Sequence, residues 1–293
     1  MTSDPRASDP LASQPTPVCP RHPDRVSYVR CQRCERPVCP QCQRQAPVGV
    51  QCVDCVKAAT ASRPAVRTVF GGRVAGERPM VTLTIIGVTV AVFALQWVLG
   101  DSFTQRFEFW PPEAKAEPWR FLTAGFLHST ALLPHILFNM VALWLVGPEL
   151  ERLFGRVRYA LAYLICAIGG SVGYFLLVPA DAKGGWYAPT VGASGAVFGL
   201  FGALLVANRR LRRDNVPLIG LLVLNALLGL RWTNIAWQAH LGGFVTGLAC
   251  AVVLSATARR GPVVQYAGLA AIFVVLVIAT VIKAAYVPAV LLA

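Results

Sequence analysis

The sequence predicts an all-α polytopic membrane protein of seven transmembrane helices, preceded by a small cysteine-rich module. Three observations predict it. Of the 293 residues, 55% are hydrophobic and only 14% are charged, an apolar excess beyond that of ordinary soluble domains. That excess is gathered into runs of about the length that crosses a bilayer as helix. Seven of the nine cysteines lie between Cys19 and Cys55, ahead of those runs.

Residues 1–17 are polar and proline-rich and lack the apolar stretch of a signal peptide, so a disordered tail is expected there. Over 18–57 the ligand types come in four pairs, Cys19-x2-His22, Cys31-x2-Cys34, Cys39-x2-Cys42 and Cys52-x2-Cys55. A spacing of two lets one turn present both members to a single ion. Four pairs supply the ligands of two tetrahedral zinc sites. Disulfides are the competing reading, and they require an oxidising compartment. The spacing resembles a B-box zinc finger, which implies cross-braced groups: Cys19, His22, Cys39 and Cys42, then Cys31, Cys34, Cys52 and Cys55. Two structural zinc ions would supply the folding energy that so short a segment lacks. Protein interaction or regulation is the expected role of this module.

Residues 58–79 read as a linker with Pro64, Gly71, Gly72, Gly76 and Pro79. Arg63, Arg67, Arg73 and Arg78 make it basic, suited either to anionic headgroups or to plain solvation. Seven apolar stretches follow, at 80–100, 132–151, 159–178, 190–208, 216–230, 234–255 and 263–285. Residues 256–293 hold a loop and the seventh span. Cys166 and Cys250 fall inside spans and read as small buried hydrophobes.

The net charge of +13 does not point to nucleic acid, because the basic residues sit in a subset of the loops. With the N-terminus inside, the short inner loops hold nine arginines: Arg152, Arg156, Arg158, Arg209, Arg210, Arg212, Arg213, Arg259 and Arg260. The outer segments hold only Arg106, Lys115, Arg120, Lys183, Arg231 and Lys283. The positive-inside rule then predicts a cytoplasmic N-terminus and an outer C-terminus in a bacterial plasma membrane. On that orientation spans two, four and six all start at the outer face. His135, Ser194 and His240 each fall on the order of 5–12 Å below it, at about 1.5 Å per residue.

An ionisable side chain inside a span is costly, which makes His240 a functional candidate. Ser194 alone would read as a small packing residue. Beside a histidine at matching depth it becomes a nucleophile with a base. Gly195 and Gly199 on the fourth span, and Gly243 and Gly247 on the sixth, form small-residue stripes that permit close helix contact. If the stripes face one another, serine and histidine meet. The soluble-hydrolase elbow does not apply, since Ala196 stands where it needs glycine.

These motifs resemble the rhomboid intramembrane serine proteases. Gly192-x-Ser194-Gly195 is similar to the family's nucleophile motif, and Ala239-His240-x-x-Gly243 to its base motif. His135-x-x-x-Asn139 is similar to its second-span motif, Trp119-Arg120 to a pair in its first loop, and Glu149–Arg158 to its segment between spans two and three. The resemblance implies a six-helix core over 80–255 with the seventh C-terminal transmembrane helix outside it, and a Ser194–His240 dyad, with oxyanion donors from His135, Asn139 and the Ser194 backbone N–H, supported by Gly192, Gly195 and Gly243. Phe198 stands where many members carry a tyrosine under the base. His128, in the loop before span two, is expected to be a surface or loop residue. Implied partners are the lipid bilayer, single-pass transmembrane substrates and a protein partner of the zinc module, with no nucleic acid. A non-proteolytic relative that binds membrane clients is the alternative. A transporter lacks support because paired charges across the spans are missing.

Overall fold

The computed structural model describes residues 16–62, 67–72, 78–180, 185–231 and 235–287. Most of the expected tail, Arg63 and Arg73 of the linker, and Lys183 lie outside those residues. The chain divides into two units, Met1–Ala65 and Val66–Ala293.

In the first unit, β1 (Val18–Cys19) pairs antiparallel with β2 (His22–Val26). A 3-10 turn at Pro40–Cys42 leads into β3 (Gln43–Gln45), which pairs antiparallel with β4 (Val50–Cys52). Helix α1 (Val53–Ser62) closes the unit. Its buried cluster consists of Cys19, Cys31, Cys39, Cys42, Cys52 and Cys55 with a single aliphatic residue, Val38. So little apolar surface cannot offset the entropy of ordering the chain. The interior is a set of thiols, and its cohesion must come from what those thiols hold.

The expected linker is shortened at both ends. Residues 58–62 continue α1. Phe70 is fully buried in the core of the second unit, its ring edge-on to Phe154 at 5.0 Å. A Cβ on Gly72 would stand 2.1 Å from the Phe154 carbonyl oxygen, so the chain there is packed tightly against its neighbour. An aromatic residue amid the glycines is the signal for this turn, since burying it is worth about 2 kcal/mol.

The second unit is helical. Span one is α2 (Met80–Leu99), and its first turn is capped from another helix by Glu151. That carboxylate accepts from the backbone N–H groups of Val81 and Thr82 at 3.0 and 2.9 Å, satisfying donors that a helix start leaves open. The long first loop is ordered by α3 (Asp101–Phe107) and α4 (Arg120–Thr123). At the other expected spans stand α5 (Leu133–Phe154), α6 (Arg156–Leu177), α7 (Ser194–Arg210), α8 (Val216–Arg231), α9 (Trp237–Ala256) and α10 (Pro262–Tyr286). Each of the seven apolar stretches therefore holds a helix. Among the described residues five helices, α2, α5, α6, α9 and α10, are long and apolar enough to cross a membrane. Helices α7 and α8 are shorter, at 17 and 16 residues.

Helix α7 starts at Ser194 rather than at 190 because the preceding residues are committed elsewhere. Thr190 and Phe109 exchange backbone hydrogen bonds of 2.8 and 3.0 Å, and Gly192 has φ +135°, outside the helical region.

Backbone contact builds the core of this unit. A Cβ on Gly243 would lie 1.9 Å from the Gly195 carbonyl oxygen, and one on Gly247 would lie 1.8 Å from that of Gly199. The two stripes therefore face one another, and α7 and α9 meet main chain to main chain. Helix α6 enters the same crossing, where a Cβ on Gly173 would fall 2.5 Å from the Gly242 Cα. In lipid no hydrophobic gain drives helices together, and close van der Waals packing of small residues takes its place.

Candidate active site

The helix contact fixes the two side chains that the sequence singles out. Ser194 is the first residue of α7 and His240 lies in the first turn of α9. His240 Nε2 stands 2.9 Å from Ser194 Oγ. With the hydroxyl donating, Nε2 accepts and the ring proton resides on Nδ1. This is the resting geometry a general base needs. The imidazole rests on Phe198, ring centroids 4.2 Å apart and planes 7° from parallel. One turn of helix separates Phe198 from Ser194, so one element carries both the nucleophile and the surface that orients its base.

His135, near the start of α5, approaches from the other side. Its Nδ1 accepts from the Ser129 backbone N–H at 3.5 Å, which leaves the proton on Nε2. A Cβ on Gly192 would lie 2.8 Å from His135 Nε2 and 3.6 Å from Ser194 Oγ. Both polar atoms thus border the small space beside the Gly192 Cα. Any side chain there would fill the place where an oxyanion could form, and φ +135° independently restricts the position to glycine.

Asn139 is buried one turn further along α5, on the same face as His135. Its Nδ2 donates to the His135 carbonyl at 2.8 Å, which occupies one amide hydrogen and leaves one. Gly195 and Gly243 contribute contact rather than polar groups.

His128 requires a correction. It is in a loop, as expected, but it is fully buried rather than on the surface. Its Nε2 accepts from the Ala193 backbone N–H at 3.4 Å, and its ring sits edge-on to His135 at 5.0 Å. Gln96 of α2 holds its main chain from both sides: His128 N–H donates to Gln96 Oε1 and Gln96 Nε2 donates to the His128 carbonyl, each at 2.9 Å. Burial, and then the neighbouring His135, push the His128 imidazole down to about 3. Gln96 belongs to no sequence motif, yet a polar amide inside an apolar span is a signal in itself.

Loop one keeps this corner in place. Buried Arg120 donates from Nε to Glu117 Oε2 at 2.5 Å and from Nη1 to the carbonyls of Gln105 and Glu108 at 2.5 and 2.9 Å. The adjacent Trp119 lies 5.0 Å under the Arg106 guanidinium. Gly192 N–H reaches the Ala124 carbonyl at 3.0 Å, so the loop directly holds the extended run before Ser194.

In the first unit the cysteine pairs gather as two groups, Cys19–His22–Cys39–Cys42 and Cys31–Cys34–Cys52–Cys55, each with ligand atoms within 4.8 Å of one another. His22 Nδ1 is 3.3 Å from Cys39 Sγ and 3.4 Å from Cys42 Sγ, and Cys34 and Cys52 sulfurs are 3.7 Å apart. Bonds of about 2.3 Å to sulfur and 2.0 Å to nitrogen give a tetrahedron edges of roughly 3.5–3.8 Å. The donor sets fit a metal ion. The backbone N–H of Cys39 draws the Cys19 thiol down to about 6, toward the thiolate a metal takes.

A family model described as the Rhomboid domain matches residues 115–257. A Bacillus subtilis chain named as a candidate rhomboid protease, YdcA, is 36% identical over 146 residues, covering 47% of this chain and 69% of its own length. The chain belongs to the rhomboid family. Two other rhomboid relatives are the rhomboid protease GluP of Bacillus subtilis and the rhomboid protease GlpG of Klebsiella pneumoniae. GluP is 34% identical over 188 residues, 60% of this chain and 35% of GluP. GlpG is 31% identical over 188 residues, 61% of this chain and 64% of GlpG. The chain thus spans about a third of GluP's length and just under two thirds of GlpG's. The rhomboid match covers Glu117, Trp119 and Arg120 of the loop-one anchor, His135, Asn139, Ser194 and His240, and it leaves the cysteine-rich unit and α10 outside.

Proposed function

We propose that the protein is an intramembrane serine endopeptidase that hydrolyses peptide bonds in or next to transmembrane segments of membrane proteins. The 2.9 Å contact between Ser194 Oγ and His240 Nε2 carries this reading. Ser194 attacks the scissile carbonyl as His240 takes the hydroxyl proton. The carbonyl oxygen, now an anion, is met by His135 Nε2–H, the second Asn139 amide hydrogen and the Ser194 backbone N–H. His240 returns its proton to the departing amine, and a water molecule then repeats the sequence on the acyl-enzyme. Each oxyanion donor is worth about 10²–10³ in rate.

The inner loops' nine arginines support a cytoplasmic N-terminus in a bacterial plasma membrane, which puts the reaction near the outer leaflet. Substrates would be single-pass membrane proteins. The six-span core would run over 80–255, with the seventh span after it. Zinc is the metal that the two four-ligand groups suit best, and the module it staples would bind a protein partner.

Purified in detergent, the protein should react with a serine-directed fluorophosphonate and cleave a single-span reporter. Ser194→Ala and His240→Ala should abolish both. Cleavage at the wild-type rate by Ser194→Ala would falsify the mechanism. Client binding without cleavage by the wild-type chain would favour the non-proteolytic alternative.

A further inference from the structure

Arg158 is 5% exposed near the start of α6, yet no carboxylate lies within ion-pair distance of it among the described residues. Its only hydrogen bond there runs from Nε to Gln265 Oε1 at 2.6 Å. Gln265, itself fully buried on α10, cannot turn away. Its Nε2 donates to the carbonyls of Phe70 and Leu254 at 2.7 and 3.1 Å. Tyr266 offers its ring 5.2 Å from the guanidinium carbon. The cation is thus held at one edge by a neutral amide and at one face by an aromatic ring. Its terminal nitrogens, which carry four of its five N–H donors, have no protein acceptor among the described residues.

Enclosing an arginine without an anion is costly. Arg158 is enclosed except at its terminal nitrogens, which are not among the fully buried atoms left without a partner and so can be reached from outside the fold. The planar fork suits a tetrahedral oxyanion, which it can bind with two parallel hydrogen bonds. Location narrows the chemistry. Helices α6 and α10 both begin here, at the end of the spans where the short loops carry nine arginines. On the orientation proposed above that end lies at headgroup depth in the inner leaflet, where the anionic groups are phosphates. The two α10 residues that precede Gln265, Val263 and Val264, are exposed apolar surface along which an acyl chain can lie.

We propose that Arg158, Gln265 and Tyr266 form a phosphate-binding site between spans three and seven, filled by the headgroup of an anionic lipid. Nothing in the proteolytic reading uses α10, and this site gives that helix a purpose. By sharing Gln265 the site also joins the seventh span to the buried turn at Phe70.

The test is thermal stability of the full chain, delipidated in detergent and then supplied with phosphatidylglycerol, phosphatidylcholine or inorganic phosphate. Phosphatidylglycerol at saturation should raise Tm by roughly 5–10 °C, and phosphatidylcholine should not. Arg158→Met should lose that increment, while Arg209→Gln, an exposed arginine at the same end, should keep it. An equal increment in wild type and Arg158→Met would overturn the proposal. An Arg158-dependent shift with inorganic phosphate alone would uphold the phosphate site and assign it to a soluble anion. If Arg158→Met does not fold, native mass spectrometry of the wild type decides. One retained phosphatidylglycerol per chain, not displaced by phosphatidylcholine, supports the site, and no retention overturns it. Neither readout depends on Ser194, so failure here leaves the protease reading untouched.

Discussion

The His240 imidazole lies parallel to the Phe198 ring, 4.2 Å away, and one edge of it reaches Ser194 Oγ. The stack settles the ring plane while the hydroxyl settles its rotation. Removing the floor should therefore harm catalysis without removing a reacting group. We expect Phe198→Ala to lower kcat by about 10–100-fold, whereas Phe198→Tyr, which keeps the aromatic floor, stays within a few-fold of wild type. Reporter cleavage in liposomes measures both, and a fully active Phe198→Ala would show the stack to be incidental.

His128 holds the Ala193 N–H next to Ser194 and abuts His135. His128→Ala should lower kcat about tenfold or more with KM little changed, and His128→Gln, which can place an acceptor near the same point, should recover part of the loss. Gln96→Leu should act in the same direction through the loop. If KM rises and kcat holds, the residue serves binding instead.

The same histidine predicts an acid limb in stability. Its folded value of about 3 lies below the ordinary 6.5, so the native state resists a proton that the unfolded chain accepts. The contribution is complete above about pH 6.5 and is lost progressively as pH falls toward 3. Thermal melts of the wild type should drop in Tm over that window, and His128→Gln should flatten the drop. Identical pH profiles for the two proteins would contradict this assignment.

Two glycine substitutions should have opposite signs. A Cβ at 243 would meet the Gly195 carbonyl oxygen at 1.9 Å, whereas a Cβ at Gly87 of α2 meets nothing within 4 Å. Gly243→Val forces two backbones apart and should cost about 3 kcal/mol or more, with loss of fluorophosphonate labelling. Gly87→Ala should gain about 0.5–1 kcal/mol from helix propensity alone. Equal melting temperatures for the pair would mean that the contact is softer than it looks.

Metal content checks the first unit. Intact protein should carry about two zinc ions, and Cys39→Ser and Cys31→Ser should each remove about one. Because the two groups use separate ligands, the losses should be independent. Ser194 labelling should survive both.

Much of the fold and of the candidate site is legible in the amino-acid sequence, for reasons that differ by residue. The cysteine pairs announce their grouping because metal spacing is local. Ser194 and His240 stand out by depth, which loop charge reports, and by stripes such as Gly195–Gly199, which imply contact. The apolar run overshoots the start of α7 by four residues, since hydropathy is blind to the backbone angle of Gly192 and to the Thr190–Phe109 pairing. The burial of His128 is hidden because a loop's residues do not say whether the chain turns inward. Gln96 and Gln265 carry no pattern, although each is an amide in an apolar span whose partners lie on other elements.

The glycine crossing of α6, α7 and α9 has a further consequence. Where main chains touch, the relative placement of serine and histidine does not depend on how neighbouring side chains repack. A saturation scan of the spans should therefore show a narrow intolerant seam along Gly173, Gly195, Gly199, Gly242, Gly243 and Gly247, bordered by lipid-facing positions that accept almost any apolar residue. Such a fold can drift widely in sequence while Ser194 and His240 stay in register.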